Sequence, residues 1–354
     1  MSIVGDAYRA MVEAHRRRQL RKTFRHISGP RQVTLGKDQI GLVLLGRNNA
    51  YFLEECVRYH RQMGVDHVVY VDNESTDSSV EIASSLPNTT VAVCSASFRD
   101  YQKYIRRLAV TEYLKGGWRL AIDCDEIFDY PHSDKVSLHD LVRRLDAGGY
   151  SGMISYMLEM VPSDPVRNYD ETVPFSQVRK AFSGYSLDGI ESYDYSSADA
   201  PLAYFLQQNQ ISGVGLPILF GGIRRQVFGE NCCLIKHPLF KMSGNIDPMA
   251  HPHVTTGLRC PSFTGILHHY KFAGGVVQRE QKLIEQKRLS HNEAESRAKA
   301  FADNSDLSFA PFITGHNPDP TVMLQHGVVD WCPEAEKLIG HPLPGSSGAS
   351  RSTT

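Results

Sequence analysis

Between Gln39 and Asp123 short, continuous apolar runs alternate with segments of helical period. QIGLVLL (Gln39 to Leu45), HVVYVDN (His67 to Asn73), TTVAVCS (Thr89 to Ser95) and WRLAID (Trp118 to Asp123) read as strands buried on both faces. NAYFLEECVRYHRQMG places Phe52, Leu53, Cys56, Val57, His60 and Met63 on one helical face, and Gly64 stops it. STDSSVEIASSL opens with N-cap chemistry and reads as a short helix. RDYQKYIRRLAVTEYLKGG repeats Tyr101, Tyr104, Ile105 and Leu108 on one face and closes at Gly116 and Gly117. This alternation predicts an α/β fold, a mostly parallel central sheet flanked by helices.

After Asp134 the order loosens. SLHDLVRRLDAG reads as a helix and YSGMISYMLEMVP as a strand, while residues 163–215 read as long loops with short elements. Gly275 to Asp303 reads as one long helix, charged on most faces, and no internal repeat is present. The ends differ from the middle. AHRRRQLRKTFRH (Ala14 to His26) packs Arg and Lys into a helical stretch, and GSSGASRSTT reads as a disordered tail. The expected organisation is a basic N-terminal arm or helix over 1–37 and a main domain over 38–275. A C-terminal helical extension over 276–340 and the tail over 341–354 follow. The main domain divides into a regular half, 38–133, and a less regular half, 134–275.

Composition narrows the function classes. The 354 residues are 41% hydrophobic and 22% charged with a formal net charge of -1, so no basic field draws nucleic acid. The basic stretch near the start reads as a solvated helix, with weak peripheral contact to an anionic membrane as the alternative. Seven cysteines without a C-x-x-C pair predict reduced thiols and a cytoplasmic location. No apolar leader follows the first charges, and no run reaches the ~20 apolar residues of a membrane span.

Three predicted strands end in polar loops: GRNN (Gly46 to Asn49), DNESTD (Asp72 to Asp77) and DCDE (Asp123 to Glu126). In open parallel sheets ligands bind beyond the carboxyl ends of the strands, so the three loops should share one ligand edge. There Arg47, Asn48 and Asp72 would meet a nucleotide, with Asn73 and Ser75 holding the turn that aims Asp72. A plain turn with a helix cap explains DNESTDSS equally. Asp123 and Asp125 are two apart, so on a persisting strand both carboxylates leave one face. Such a pair repels unless a cation or proton lies between. Mg²⁺ and Mn²⁺ take oxygen ligands and bridge to diphosphates. Alone, a D-x-D pair more often caps a helix; its place at a strand end favours the metal.

NNAYFLEECVRYHRQMGVDHVVYVDNESTDSS, Asn48 to Ser79, resembles the opening of a bacterial subgroup of family 2 glycosyltransferases. The likeness continues in WRLAIDCDEIF, FGGIRRQVFG (Phe220 to Gly229), LIKHPLF (Leu234 to Phe240), HPHV (His251 to Val254) and GILHHYKF (Gly265 to Phe272). It spans roughly residues 39 to 275 and implies that 38–133 is a nucleotide-binding half and 134–275 an acceptor and metal-completing half. Asn49, Cys56 and Ile127 stand where the subgroup has Glu, Trp and Phe. The resemblance implies the GT-A nucleotide-diphospho-sugar transferase fold, a donor expected to be UDP-linked, Mn²⁺ or Mg²⁺, and a glycan or small-molecule acceptor. It further implies Asp125 as the direct metal ligand, Asp123 on the ribose, the metal or its waters, and His253 or His269 completing the shell. His269 is preferred. Arg224 and Arg225 carry guanidinium forks suited to a diphosphate, and strand alternation would turn one of them inward. Lys236 and Lys271 are weaker candidates for that role. Glu230 is the expected base, with Asp188, Glu191 and Asp247 as alternatives. Two competing readings are a non-catalytic nucleotide-sugar-binding module and a glycoside hydrolase with paired carboxylates.

Overall fold

Every residue of the runs at His67–Asp72 and Trp118–Ile122 is buried, because helices cover both faces of the sheet they enter. In the computed structural model the described residues are 11, 14–213, 215–285, 293–304, 306–329 and 333–340. The main sheet has nine strands. They are β1 (Phe24–Ser28), β2 (Ile40–Gly46), β3 (His67–Asp72), β4 (Thr89–Cys94), β5 (Trp118–Ile122), β6 (Glu126–Asp129), β7 (Gly152–Glu159), β8 (Ile235–Lys241) and β9 (Gly265–His269). Their spatial order is β1-β4-β3-β2-β5-β8-β7-β9-β6.

The sheet is mixed rather than mostly parallel. β4, β3, β2 and β5 run parallel, joined by α1 (Ala50–Met63), α2 (Ser79–Ser85) and α3 (Phe98–Glu112). Beyond β5 the pairs β5/β8, β8/β7 and β9/β6 are antiparallel, as is β1/β4, and only β7/β9 is parallel. The reason is connectivity. Parallel neighbours need helical crossovers, and the regular helix–strand alternation stops after β5.

Other expectations shift locally. The basic stretch is helical only over residues 14–21, and Phe24 to Ser28 forms the edge strand β1. Arg21 Nε donates to Glu112 at 3.0 Å and Arg16 lies 3.5 Å from the Tyr104 hydroxyl, so this helix is docked on α3. The long C-terminal helix is described as α7 (Val276–Glu285) and α8 (Glu293–Asp303), with 286–292 outside the described residues. Residues 1–10 of the arm and the tail 341–354 also lie outside them. The loops between β7 and β8 hold α5 (Phe175–Ala181), α6 (Ile223–Phe228) and short strand pairs. Six described cysteines are free thiols, Cys332 lying outside. No described helix is long and apolar enough to cross a membrane.

Strand directions place the site. The carboxyl ends of β2, β5, β7 and β9 and the amino end of β8 share one edge of the sheet.

Helix α1 buries Phe52, Leu53, Cys56, Val57 and His60 against the sheet, the face its spacing predicts, and ends where Gly64 adopts φ 119°. His60 is fully buried and satisfied as a neutral ring. Its Nδ1 donates to the Cys56 carbonyl at 2.7 Å, and its Nε2 accepts from the Phe128 backbone at 3.1 Å. Burial lowers its pKa from 6.5 to about 4. Between those values the unfolded chain binds a proton that the folded chain refuses. Stability is therefore full above pH ~6.5 and falls as pH drops towards about 4, by up to ~1.4 kcal/mol per pH unit for one proton. In His60→Gln the slope of urea stability against pH between 4.5 and 6.5 should be shallower by roughly that amount. Parallel slopes for parent and variant would show that His60 is not titrating in this way.

Candidate active site

A cleft of about 590 Å³ opens at the shared edge. Its wall includes Leu45 of β2 and Asn49 beyond it, Asp123 to Glu126 after β5, Lys236 of β8, His269 of β9 and Lys271 beyond it. Helix α3 adds Phe98, Gln102 and Arg106, and α6 adds Arg224.

The strand carrying the acids does not persist. β5 stops at Ile122 and the chain turns, with the Glu126 amide donating to the Asp123 carbonyl at 3.1 Å. The carboxylates therefore diverge instead of sharing one face. Asp123 is gripped by Arg106 Nη2 at 3.0 Å and Lys236 Nζ at 2.9 Å. Burial favours its neutral form, but these two cations bring its pKa well below the ordinary carboxylate value. Lys236 also donates to Glu126, which is buried and accepts from the Asp123 amide at 3.0 Å. Burial would lower the Lys236 pKa; Asp123 and Glu126 raise it instead. The repulsion at the first acid is thus answered by protein cations.

Asp125 faces His269 instead, with Oδ2 and Nε2 3.4 Å apart. Register explains the meeting. β6 pairs with β9 so that Glu126 lies opposite His269, and β9 pairs with β7 so that His269 lies opposite Glu159. The Tyr270 amide donates to the Asp125 carbonyl at 2.8 Å and pins the turn to β9. His269 Nδ1 donates to Glu159 Oε1 at 2.9 Å. Burial would lower the His269 pKa, but Glu159 and Asp125 raise it to about 10. Asp125 behaves conversely: burial raises its pKa, and His269 brings it below its ordinary value.

Among the described residues no three His, Cys, Asp or Glu side chains are grouped to hold a metal ion. The Asp125–His269 pair nevertheless suits one. Carboxylate oxygen and imidazole nitrogen are donors for Mn²⁺, and Mg²⁺ or Mn²⁺ at such sites draws its other ligands from water and substrate oxygens. Nδ1 anchored on a carboxylate is the backing that metal-bound imidazoles use. Asp123 is committed to Arg106 and Lys236. His253 lines the same cleft, with Nδ1 3.1 Å from the Ile235 carbonyl. Burial first, then Lys236, lowers its pKa well below the ordinary imidazole value.

The remaining candidates separate. Arg224 and Arg225 sit on helix α6, not on a strand, and the helix still turns one of them inward. Arg224 is buried, with Nε donating to Glu230 at 2.6 Å and Nη1 3.5 Å from Glu159, and it lines the cleft. Arg225 is outside, paired with Glu191 at 2.9 Å. Glu230 does not line the cleft; its carboxylate is held by Arg224 and by Arg297 at 2.7 Å. Asp188, Glu191 and Asp247 do not line it either. The β3 loop is knotted into itself. Asp72 accepts from the Ser75 amide at 2.7 Å and from its hydroxyl, and Asn73 donates to the carbonyls of Cys94 and Ala96 at 2.7 and 2.9 Å. Arg47 donates to the Asn73 carbonyl at 3.3 Å, and Asn48 Oδ1 accepts from Thr76 at 2.8 Å. None of these five residues lines the cleft, and their contacts are those of a self-bonded turn.

Arg106 and Glu159 belong to the site without any sequence signal pointing to the ligand edge. Each sits in a segment read for its apolar face, and a buried charge inside such a segment is the one hint available. Lys236→Met leaves Glu126, 1% exposed, without its cation. Breaking a buried pair from one side costs about 3–5 kcal/mol. The urea midpoint should fall accordingly, and Lys236→Met/Glu126→Gln should recover part of the loss. A single variant as stable as the parent would contradict this account.

No family model matches the chain, and a search of curated proteins finds no match, so the chemistry of the cleft stands on its geometry.

Proposed function

We propose that the protein is a metal-dependent glycosyltransferase of GT-A type, taking a sugar from a nucleoside-diphosphate donor to an acceptor hydroxyl. The observation that carries this reading is the Asp125–His269 pair on the cleft floor, anchored through Nδ1 by Glu159. The parallel half of the sheet and the position of the cleft beyond its carboxyl edge support it. So do four cations on the cleft wall, Arg106, Arg224, Lys236 and Lys271, which suit a polyanionic leaving group.

In this reading Asp125 and His269 hold Mn²⁺ or Mg²⁺. When bound, the metal supplies positive charge against the diphosphate oxygens. The acceptor oxygen bonds to the anomeric carbon as the bond from that carbon to the diphosphate oxygen breaks. The hydroxyl proton passes to a cleft carboxylate or to water. Arg224 and Lys271 meet the charge on the departing diphosphate. Lys236 and Arg106 keep Asp123 ionised, so the cleft presents a fixed field without reorganising. Leu45 and Asn49 are where the nucleotide would touch β2, and the segments around Pro201 and His251 would face the acceptor.

A second reading has specific support. None of the four acids named as a base lines the cleft, which favours a module that binds a nucleotide sugar without transferring it.

Thermal unfolding with UDP-, GDP-, CMP- and dTDP-sugars, each with and without Mn²⁺, tests both. Ligand at a hundredfold its Kd stabilises by about 2.7 kcal/mol, which is several degrees in Tm. At least one sugar nucleotide should give a Mn²⁺-dependent rise, and Asp125→Ala should remove the Mn²⁺-dependent part. Absence of a rise throughout the panel would sink both readings. A rise without release of nucleoside diphosphate, across a panel of sugar acceptors, would favour the binding module.

A further inference from the structure

Behind the cleft floor lies a line of buried charges of alternating sign. Asp125 meets His269 at 3.4 Å, and His269 meets Glu159 at 2.9 Å. Glu159 meets Arg224 at 3.5 Å, and Arg224 Nε meets Glu230 at 2.6 Å. Glu230 meets Arg297 at 2.7 Å, and Arg297 Nε meets Glu280 at 3.0 Å. Glu159, Arg224, Glu230, Glu280 and Arg297 are between 1% and 6% exposed. The last two come from α7 and α8, whose charges the sequence pattern assigns to solvent. Helix α7 makes a second connection: Arg279 donates to the carbonyls of Lys271, Ala273 and Gly274, the turn directly after β9.

We propose that Arg297 is a positioning residue for His269, acting through Glu230, Arg224 and Glu159, so that the C-terminal helices set the orientation of the cleft imidazole. The inference depends on the transferase reading only for the purpose of that imidazole. The weakest connection decides how it works. Arg224 is shared between Glu230 and Glu159, and its hold on Glu159 at 3.5 Å is the longest between these carboxylates and guanidiniums. Arg297 competes with Arg224 for Glu230. Losing Arg297 leaves Glu230 to draw Arg224 to itself, and Glu159 then places more of its charge on the His269 Nδ1 proton. Losing Glu230 does the opposite, since Arg224 gives up that contact and leans towards Glu159.

The test is the Nδ1 proton resonance of His269 in the full-length, metal-free protein, labelled with ¹⁵N-histidine and assigned with His269→Asn. Arg297→Met should move it downfield, Glu230→Gln upfield, and Arg297→Met/Glu230→Gln should return to the upfield side. Arg297→Lys should lie nearer the parent than Arg297→Met does. Glu280 loses its cation in both variants that lack Arg297, so its effect cancels between them. Opposite shifts distinguish positioning from general support, which would move all variants alike. If Arg297→Met does not fold by circular dichroism, the upfield shift of Glu230→Gln carries the decision. An unmoved resonance in Glu230→Gln, or the same direction of shift in every variant, overturns the proposal. Mn²⁺ binding to the parent, followed by electron paramagnetic resonance, is measured beside it. A parent that binds no Mn²⁺ even with the sugar nucleotides of the panel present, but shows the opposed shifts, refutes the metal-dependent transferase reading and upholds the role of Arg297.

Discussion

A charge removed from water must meet an opposite charge or lose its ionisation, and this constraint organises the ligand edge of the molecule. Arg106, Lys236 and Arg224 reach in from a helix, a strand and a second helix; Asp123, Asp125, Glu126 and Glu159 come from the ends of three strands. Two clusters result. One locks Asp123 and Glu126 to Lys236 and Arg106. The other suspends His269 between Asp125 and Glu159. The first is a fixed field; the second carries the nitrogen and oxygen donors to which the proposed function assigns a metal.

The clusters sit where they do because the sheet changes character at β5. To one side, parallel strands joined by helices bring loop after loop to the same edge. To the other, β8 returns antiparallel and delivers Lys236 at its amino end, while β7 and β9 run parallel to each other and deliver Glu159 and His269 at their carboxyl ends. The mixed sheet is therefore what makes the cleft amphoteric. A wholly parallel one would bring only strand carboxyl ends and their following loops to this edge. Leu202, at the rim, holds φ 65°, a left-handed conformation that costs a leucine energy and is found where tertiary contacts impose it.

Stability and chemistry draw on the same groups. Lys236 and Arg297 are buried cations, and each holds a buried acid, Glu126 and Glu280 respectively, that its removal would leave stranded. Such arrangements contribute less net stability than their short distances suggest, because each ion was stripped of water first. Their more secure contribution is geometric: side chains with one permitted set of partners hold one orientation.

Much of the fold was legible because it depends on short-range period. The buried strands, the face of α1 and the stop at Gly64 follow from which positions are apolar, and tertiary packing agreed with them; on α3 it buried Ile105 and Leu108 of the predicted face but left Tyr101 exposed. The place of Asp123 and Asp125 in a cleft at the sheet's edge was legible for the same reason, since a polar break after a buried strand marks where the chain leaves the sheet. What the sequence could not contain was register and partner choice. That β5 ends one residue before the acids, that Asp123 is neutralised by Arg106 and Lys236, and that His269 falls opposite both Glu126 and Glu159 are decided by strand pairing between distant segments. Glu280 and Arg297 sit in a stretch that reads as charged on most faces, and Glu230 reads as a base, yet all three are buried in the fold. Their burial is settled by which charges distant helices bring to meet them, and no local pattern encodes that.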